Sequence, residues 1–229
     1  MPVRKLAASV LISGMLYAVF AGYGDKLDSL PTWAERAVLV MTNVCRMAPV
    51  AYRNEYIGNI ATILDPSVYP AVDPVYWHPD LALAAHDHAI DMAYNCGMQH
   101  NSCDGTEWNE RISSYYTVSG WIAENVSRSQ TSPQAAVRTW VYDRGVADGQ
   151  EGDGHRRNIM NEVYRDIGTG HAYESSDYWC EDFGRGTSSD FPPHAIPAAC
   201  HLFLESGSTA FLCNYFDNDG AAPQSVTLV

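Results

Sequence analysis

Asp166-Ile167-Gly168-Thr169-Gly170-His171-Ala172-Tyr173-Glu174 runs into Ser175-Ser176-Asp177 and then into Tyr178-Trp179-Cys180-Glu181-Asp182-Phe183. The outer pieces read as strands and the small polar triplet as the turn between them, so the segment predicts a β-hairpin. Trp121 to Ser127 reads as a further strand. Just before the hairpin lies Gly152-Asp153-Gly154-His155-Arg156-Arg157-Asn158-Ile159-Met160. Its glycines admit backbone angles that other residues avoid, and His155 falls at the start of a short helix.

The chain before these strands is helical in pattern. Thr32 with Glu35 forms a capping box, and Val38, Met41, Val44 and Cys45 recur at helical spacing behind it. Pro49 ends or restarts this helix. Residues 58–76 carry Pro66, Pro70 and Pro74 and read as a loop. Trp77-His78-Pro79-Asp80 opens the next helix, with Pro79 in the first turn, where its missing N–H costs nothing. Leu81, Ala84, Ala85, His88 and Met92 form its inner face, and Gly97 is its stop. His86 and His88 are two residues apart and face different ways, so they read as one surface and one core histidine. Glu107 to Tyr115 predicts a short helix. Ser132-Pro133 caps another, with Val137, Trp140 and Val141 inward. Helices around hairpin-paired strands make an α+β chain with an antiparallel sheet.

The 229 residues are 46% hydrophobic and 18% charged, which suits one globular domain with appendages. The net charge of −13 repels a phosphate backbone and excludes nucleic acid as a partner. Arg4 and Lys5 precede an apolar run from Leu6 to Ala21 that ends in small residues. The run is short for a span and Gly14 interrupts it, so residues 1–21 read as a cleaved signal peptide, with no transmembrane anchor after processing and a secreted, extracellular product. Residues 22–185 form the domain. Residues 186–229 read as a Gly-, Ser- and Pro-rich linker followed by a short β-rich appendage, with strands at His201–Leu204, Ala210–Phe216 and Ser225–Val229.

In an exported chain, six cysteines read as disulfides before metal ligands. Cys96 and Cys103 flank His100 and make one pair. Cys200 and Cys213 make a second across the turn at Glu205–Ser208. Cys45 and Cys180 are left as a third.

Taken in order, several stretches form a specific set. They are Asn43-Val44-Cys45-Arg46, Trp77-His78-Pro79-Asp80-Leu81, His88-Ala89-Ile90-Asp91-Met92-Ala93, His100, Arg111-Ile112, Ala123-Glu124-Asn125-Val126 and Trp140. Gly154 to Met160, Ile167-Gly168-Thr169-Gly170 and Tyr178 to Gly184 complete it. The set resembles the CAP superfamily of cysteine-rich secretory, antigen 5 and pathogenesis-related proteins, and its Gly-His-Arg-x-Asn-Ile form is similar to the bacterial SCP-like branch. The resemblance implies a three-layer α-β-α sandwich with an open cleft lined by two histidines and two acids. The histidines fall on His100 and His155 and the first acid on Glu124. The second falls on Asp143, three residues after Trp140, with Asp153 as a competitor.

The same residues have a chemistry of their own. Two neutral imidazoles and a carboxylate are a ligand group for zinc or a similar divalent cation. Without metal, the carboxylates would hold the imidazoles for proton transfer. Three functions follow. The first is a secreted binding module whose cleft takes a divalent metal or a small lipid-like ligand, with an extracellular or cell-surface partner. The second is an extracellular, protease-like hydrolase in which Glu124 or His155 activates water. The third is a structural or adhesive protein. No nucleophile elbow surrounds Ser102 or Ser113, which weighs against the second.

Overall fold

Two glycines on one strand decide how the layers meet. The computed structural model describes residues 31–58, 60–143, 146–147, 150–185, 201–205 and 208–212. The signal peptide, the linker, the Cys200–Cys213 pair and the Ser225–Val229 strand lie outside the described residues. Helices α1 (Trp33–Met47) and α2 (Pro49–Tyr52) come first, then strand β1 (Tyr76–Trp77). Helices α3 (Pro79–Asp91) and α4 (Trp108–Tyr115) precede β2 (Ile122–Arg128). Helix α5 (Pro133–Tyr142) leads to the two-residue strands β3 (Val146–Ala147) and β4 (Gln150–Glu151), and then to α6 (Gly154–Met160). The hairpin β5 (Asp166–Tyr173) and β6 (Asp177–Gly184) follows, and β7 (His201–Glu205) pairs with β8 (Ser208–Leu212). No helix among the described residues is long and apolar enough to cross a membrane.

The main sheet has the order β1-β5-β6-β2. It is mixed rather than wholly antiparallel, because β1 joins β5 in parallel. Tyr76 N–H donates to Arg165 O (2.7 Å) and His78 N–H to Ile167 O (2.8 Å). A side chain prepares this strand: Asn43 of α1 exchanges two hydrogen bonds with Val75, at 2.9 and 2.8 Å, as a neighbouring backbone would. So short a pairing leaves no periodic signal in sequence.

Alternation along β6 sends Trp179 and Phe183 to one face and Tyr178 and Cys180 to the other. The first face is covered by α1, α5 and α6, through Val38, Met41, Val137, Trp140 and Ile159. The second is covered by α3, through Ala85 and Ala89, and by Met92 just after it, with α4 beside it through Ile112. This is the α-β-α sandwich. The alternation also corrects the proposed Cys45–Cys180 disulfide. Both thiols are buried and free, and they lie in separate clusters on opposite faces of the sheet. Cys96 and Cys103 are joined, with their Cα atoms 5.5 Å apart.

Arg46 locks the first layer. Its fully buried guanidinium donates from Nε to Asp73 O (2.8 Å) and from Nη1 to both Ile159 O (2.5 Å) and Asn161 O (3.0 Å). The loop before β1 and the end of α6 are thereby tied to α1. Arginine's planar fork suits this work, which a lysine could not do.

On the second face α3 lies almost on the backbone of β5. A Cβ at Gly168 would stand 2.0 Å from the Leu81 carbonyl carbon, and one at Gly170 would stand 2.2 Å from Ala85 O. Neither neighbour is a side chain that can swing away. Gly170→Ala is therefore expected to destabilise the fold by about 2–3 kcal/mol through overpacking. Denaturant unfolding of the variant checks it, and an unchanged midpoint would show that α3 can lift without cost.

Candidate functional site

The site is built around β2, one of the two edge strands of the main sheet. An edge presents unpaired backbone groups, and here side chains cover them. Trp140 Nε1 donates to Val126 O (3.0 Å), and Asn158 Nδ2 donates to Glu124 O (3.2 Å). Helices α5 and α6 thus lie along the edge. Alternation points Glu124 and Asn125 to opposite faces, so one strand supports two different clusters.

Glu124 is buried and faces α3 and α4. Its Oε1 accepts from His100 Nδ1 (2.8 Å), and its Oε2 accepts from an Arg111 terminal nitrogen. Arg111 also donates to His100 O (2.8 Å) and Ser102 Oγ (3.3 Å), holding the loop that carries the histidine. That loop begins at Gly97, whose φ of 84° turns the chain out of the π-helical turn Met92–Cys96, and the disulfide closes it. Burial pulls the Glu124 carboxyl upward, but the His100 hydrogen bond and the charges of Arg111 and His88 outweigh it and leave it below its ordinary value.

His155 opens α6. Its N–H donates to Asp143 Oδ2 (2.8 Å) and its Nδ1 to Asp143 Oδ1 (3.1 Å). Asp143 ends α5 with φ 26°, in the left-handed region that few side chains adopt. Strained backbone of this kind gathers at functional sites. Burial raises the Asp143 carboxyl, but the bonds and charge from His155 and the Arg156 N–H bring it below the usual range. The competing acid, Asp153, is engaged elsewhere: it accepts from Tyr69 Oη (2.7 Å) and pairs with Arg157 Nε (2.8 Å).

The site is therefore two histidine–carboxylate pairs rather than a single ligand set. Among the described residues, the groups of three ligand-type side chains whose donor atoms lie within 4.8 Å of one another are Asp91, Cys96, Cys103 and Glu124, Cys180, Asp182. Neither contains His100 or His155. The cysteines of the first are in the disulfide, and the second is wholly buried beside Arg111. What the pairs share is a tautomer. Each Nδ1–H donates to a carboxylate, which leaves Nε2 with a lone pair, and the side chains are 50% and 34% exposed. Such an imidazole can ligate a metal or take a proton, with its carboxylate orienting it.

Three polar residues outside the expected site hold it together. Arg111, Asn125 and Asn158 stand inside the quoted motifs but carry no catalytic or ligand chemistry that sequence alone would single out. Asn125 Nδ2 donates to His155 O (3.3 Å) and Glu181 Oε2 (3.0 Å), and Asn158 Nδ2 donates to Asn125 Oδ1 (2.9 Å). Glu181 also accepts from Thr42 Oγ1 (2.5 Å). A buried chain of bonds thus joins α1 to the helix bearing His155. His86 and His88 divide broadly as expected: His86 pairs with Glu35 (2.8 Å) at the partly exposed boundary, and His88 is core. Ser102 and Ser113 are not set against a histidine base. Ser113 Oγ donates to Asn109 O (2.6 Å), and both free thiols are buried, which pushes their pKa values up.

Residues 70–183 match the cysteine-rich secretory protein family, CAP. The likeness read from the sequence starts earlier, at about Trp33. No curated protein matches the chain. Solved structures that share features with it include an extracellular protein containing an SCP domain from Bacillus anthracis, at 22% identity and TM-score 0.43 over 55% of this chain and 38% of that one. The chain thus spans well under half of that protein. Another is NaASP2 with Zn2+, at 16% identity and TM-score 0.45 over 71% of this chain and 84% of that one. A third is venom allergen-like protein 4 of Schistosoma mansoni, at 15% identity and TM-score 0.42 over 72% of this chain and 96% of that one.

Burial raises Glu181 from an ordinary 4.5 to about 7, partly offset by its bonds from Thr42 and Asn125. The folded value lies above the unfolded one, so this group's contribution is fully present below about pH 4.5 and is lost as pH rises through about 7. Glu181→Gln removes that loss. The variant should gain on the wild type by about 2–3 kcal/mol between mildly acidic and mildly alkaline pH. Melting curves across that range check it, and parallel profiles would show that Glu181 keeps its charge in the core. Glu124 and Asp143 titrate with the opposite sign at more acid pH, where their lowered values let stability fall as they protonate.

Proposed function

Because this chain contains a domain of the CAP, cysteine-rich secretory protein family, we propose that it is a secreted binding module whose two histidine–carboxylate pairs hold a divalent cation of the zinc type. The observation that carries the reading is the shared tautomer: Nδ1 of His100 and of His155 is held by Glu124 and by Asp143. That is how metal-binding histidines are commonly oriented, with the ring's other nitrogen left to the ion. His100 and His155 would be the ligands, and Glu124 and Asp143 would fix their direction. The metal would supply a Lewis acid and an exchangeable position for a ligand or water. The protein's own part is to present the two rings on either side of one edge strand. With only two protein ligands the site is weak and exchangeable. The Cys96–Cys103 disulfide supports an oxidising destination. The hydrolase reading, in which Glu124 or His155 activates water, draws on the same two pairs and is the second reading.

Zinc calorimetry tests the proposal. The wild type should bind, and His100→Ala and His155→Ala should each weaken binding by at least about ten-fold, or 1.4 kcal/mol. Equal affinity in all three proteins would make the pairs purely structural.

A further inference from the structure

A strained turn sets where the Asp143 carboxylate points, and a buried arginine closes that turn. Helix α5 stops at Asp143, whose φ of 26° breaks the helical run. The Asp143 N–H still donates back to Thr139 O (3.0 Å), so the orphan carbonyls of α5 belong to the residues between the two. Arg156 takes two of them. Its Nη1 donates to Val141 O (2.8 Å) and to Tyr142 O (3.3 Å). A cation is favoured at a helix C-terminus, where the carbonyl dipoles point outward.

Arg156 directly follows His155, and the two work from opposite sides of the same turn. His155 meets the carboxylate of Asp143 with its N–H (2.8 Å) and its Nδ1 (3.1 Å). Arg156 meets the carbonyls of the two residues just before Asp143. The start of α6 and the end of α5 are thus joined through two consecutive residues, and the Asp143 backbone is caught between them. A non-glycine residue at this φ is held there by its surroundings.

The guanidinium is itself fixed. Arg156 is buried, and its Cζ lies 5.4 Å from the centroid of the Tyr69 ring, a cation–π contact. Tyr69 is buried as well, and its Oη donates to Asp153 Oδ2 (2.7 Å), while Asp153 Oδ1 pairs with Arg157 Nε (2.8 Å). The acid nearest His155 in sequence is thereby occupied, and Asp143 is left as the partner of the imidazole. His100 is set by other means, since its Glu124 is gripped from α4 by Arg111.

We infer that Arg156 is the positioning residue of the His155–Asp143 pair: by holding the end of α5 it keeps the Asp143 carboxylate on Nδ1 and so fixes which nitrogen of His155 is free. Without Arg156, the Asp143 backbone relaxes out of the left-handed region and its carboxylate swings off the ring. The imidazole then loses the partner that selects its tautomer. The inference rests on the metal-holding reading only for the use made of the free nitrogen. The two histidines are therefore set by two separate arginines, Arg156 for His155 and Arg111 for His100.

Long-range proton–nitrogen NMR spectra of the full chain at about pH 8, where an ordinary imidazole is neutral, read the tautomer of each histidine. In the wild type His100 and His155 should both be protonated on Nδ1. Arg156→Met should move His155 toward the Nε2-protonated form and leave His100 unchanged. It should also weaken zinc binding by about ten-fold, the low end of the cost of losing an orienting partner. Arg156→Gln, which is shorter and uncharged, is read in its place if the first variant does not fold, and a melting curve accompanies each. A wild-type His155 signal in a folded variant, a joint shift of both histidines, or failure of both variants to fold would each overturn the assignment, the last making Arg156 a residue of the fold alone. A shift of His155 alone in a protein that binds no zinc would uphold the role of Arg156 and remove the metal reading instead.

Discussion

The sandwich depends on a helix lying directly on a strand's backbone. Gly168 and Gly170 remove the side chains that would separate α3 from β5, so the helix sits at a distance set by main-chain atoms. Everything on the second face inherits its position from that contact. His88 comes down beside Glu124, 3.9 Å from its Oε2, and Asp91 reaches the N–H of Cys103 (2.7 Å) in the disulfide loop. A helix held on side-chain ridges could tilt or slide by fractions of an ångström. One held on backbone has far less freedom, and a buried ion pair needs that precision, because a misplaced partner leaves a charge uncompensated.

Glu124 is costly to bury, and the structure surrounds it with donors. Arg111, His100 and Cys180 Sγ (3.4 Å) all approach its carboxylate. Asp182, its neighbour across the strands, responds in the opposite way: burial and the Glu124 charge push its carboxyl well above the usual range. Two acids side by side in a core thus divide the work, one kept charged by its cations and the other kept neutral by the first.

Much of this was legible in the residues, and the failures have physical causes. The helices announced themselves through Thr32 and Glu35, Pro79, Ser132 and their apolar stripes, because capping and amphipathicity are local. The hairpin was legible for the same reason. Strand β1 was not, since two residues carry no period and its pairing is fixed from a distance by Asn43. The four site residues were legible as types, but their pairing depends on which face of β2 each meets. That is why His100 and His155 form separate pairs, and why the backbone turn at Asp143 rather than proximity to Asp153 chose the partner of His155. Arithmetic on cysteine number suggested joining Cys45 to Cys180, whereas the sheet stands between them.

Those two thiols have a kinetic consequence. Disulfide exchange requires a thiolate, and burial makes the thiolate of Cys45 and of Cys180 inaccessible as well as unfavourable. Once the layers have closed, neither can attack the bond between Cys96 and Cys103. Before closure all of them are reactive, so correct oxidation becomes a race. The seven-residue separation of Cys96 and Cys103 favours them in that race, because a short segment meets itself sooner than Cys45 can find Cys180 along the chain. Sheet assembly then makes the outcome permanent by sealing the losing sulfurs on opposite sides of a wall.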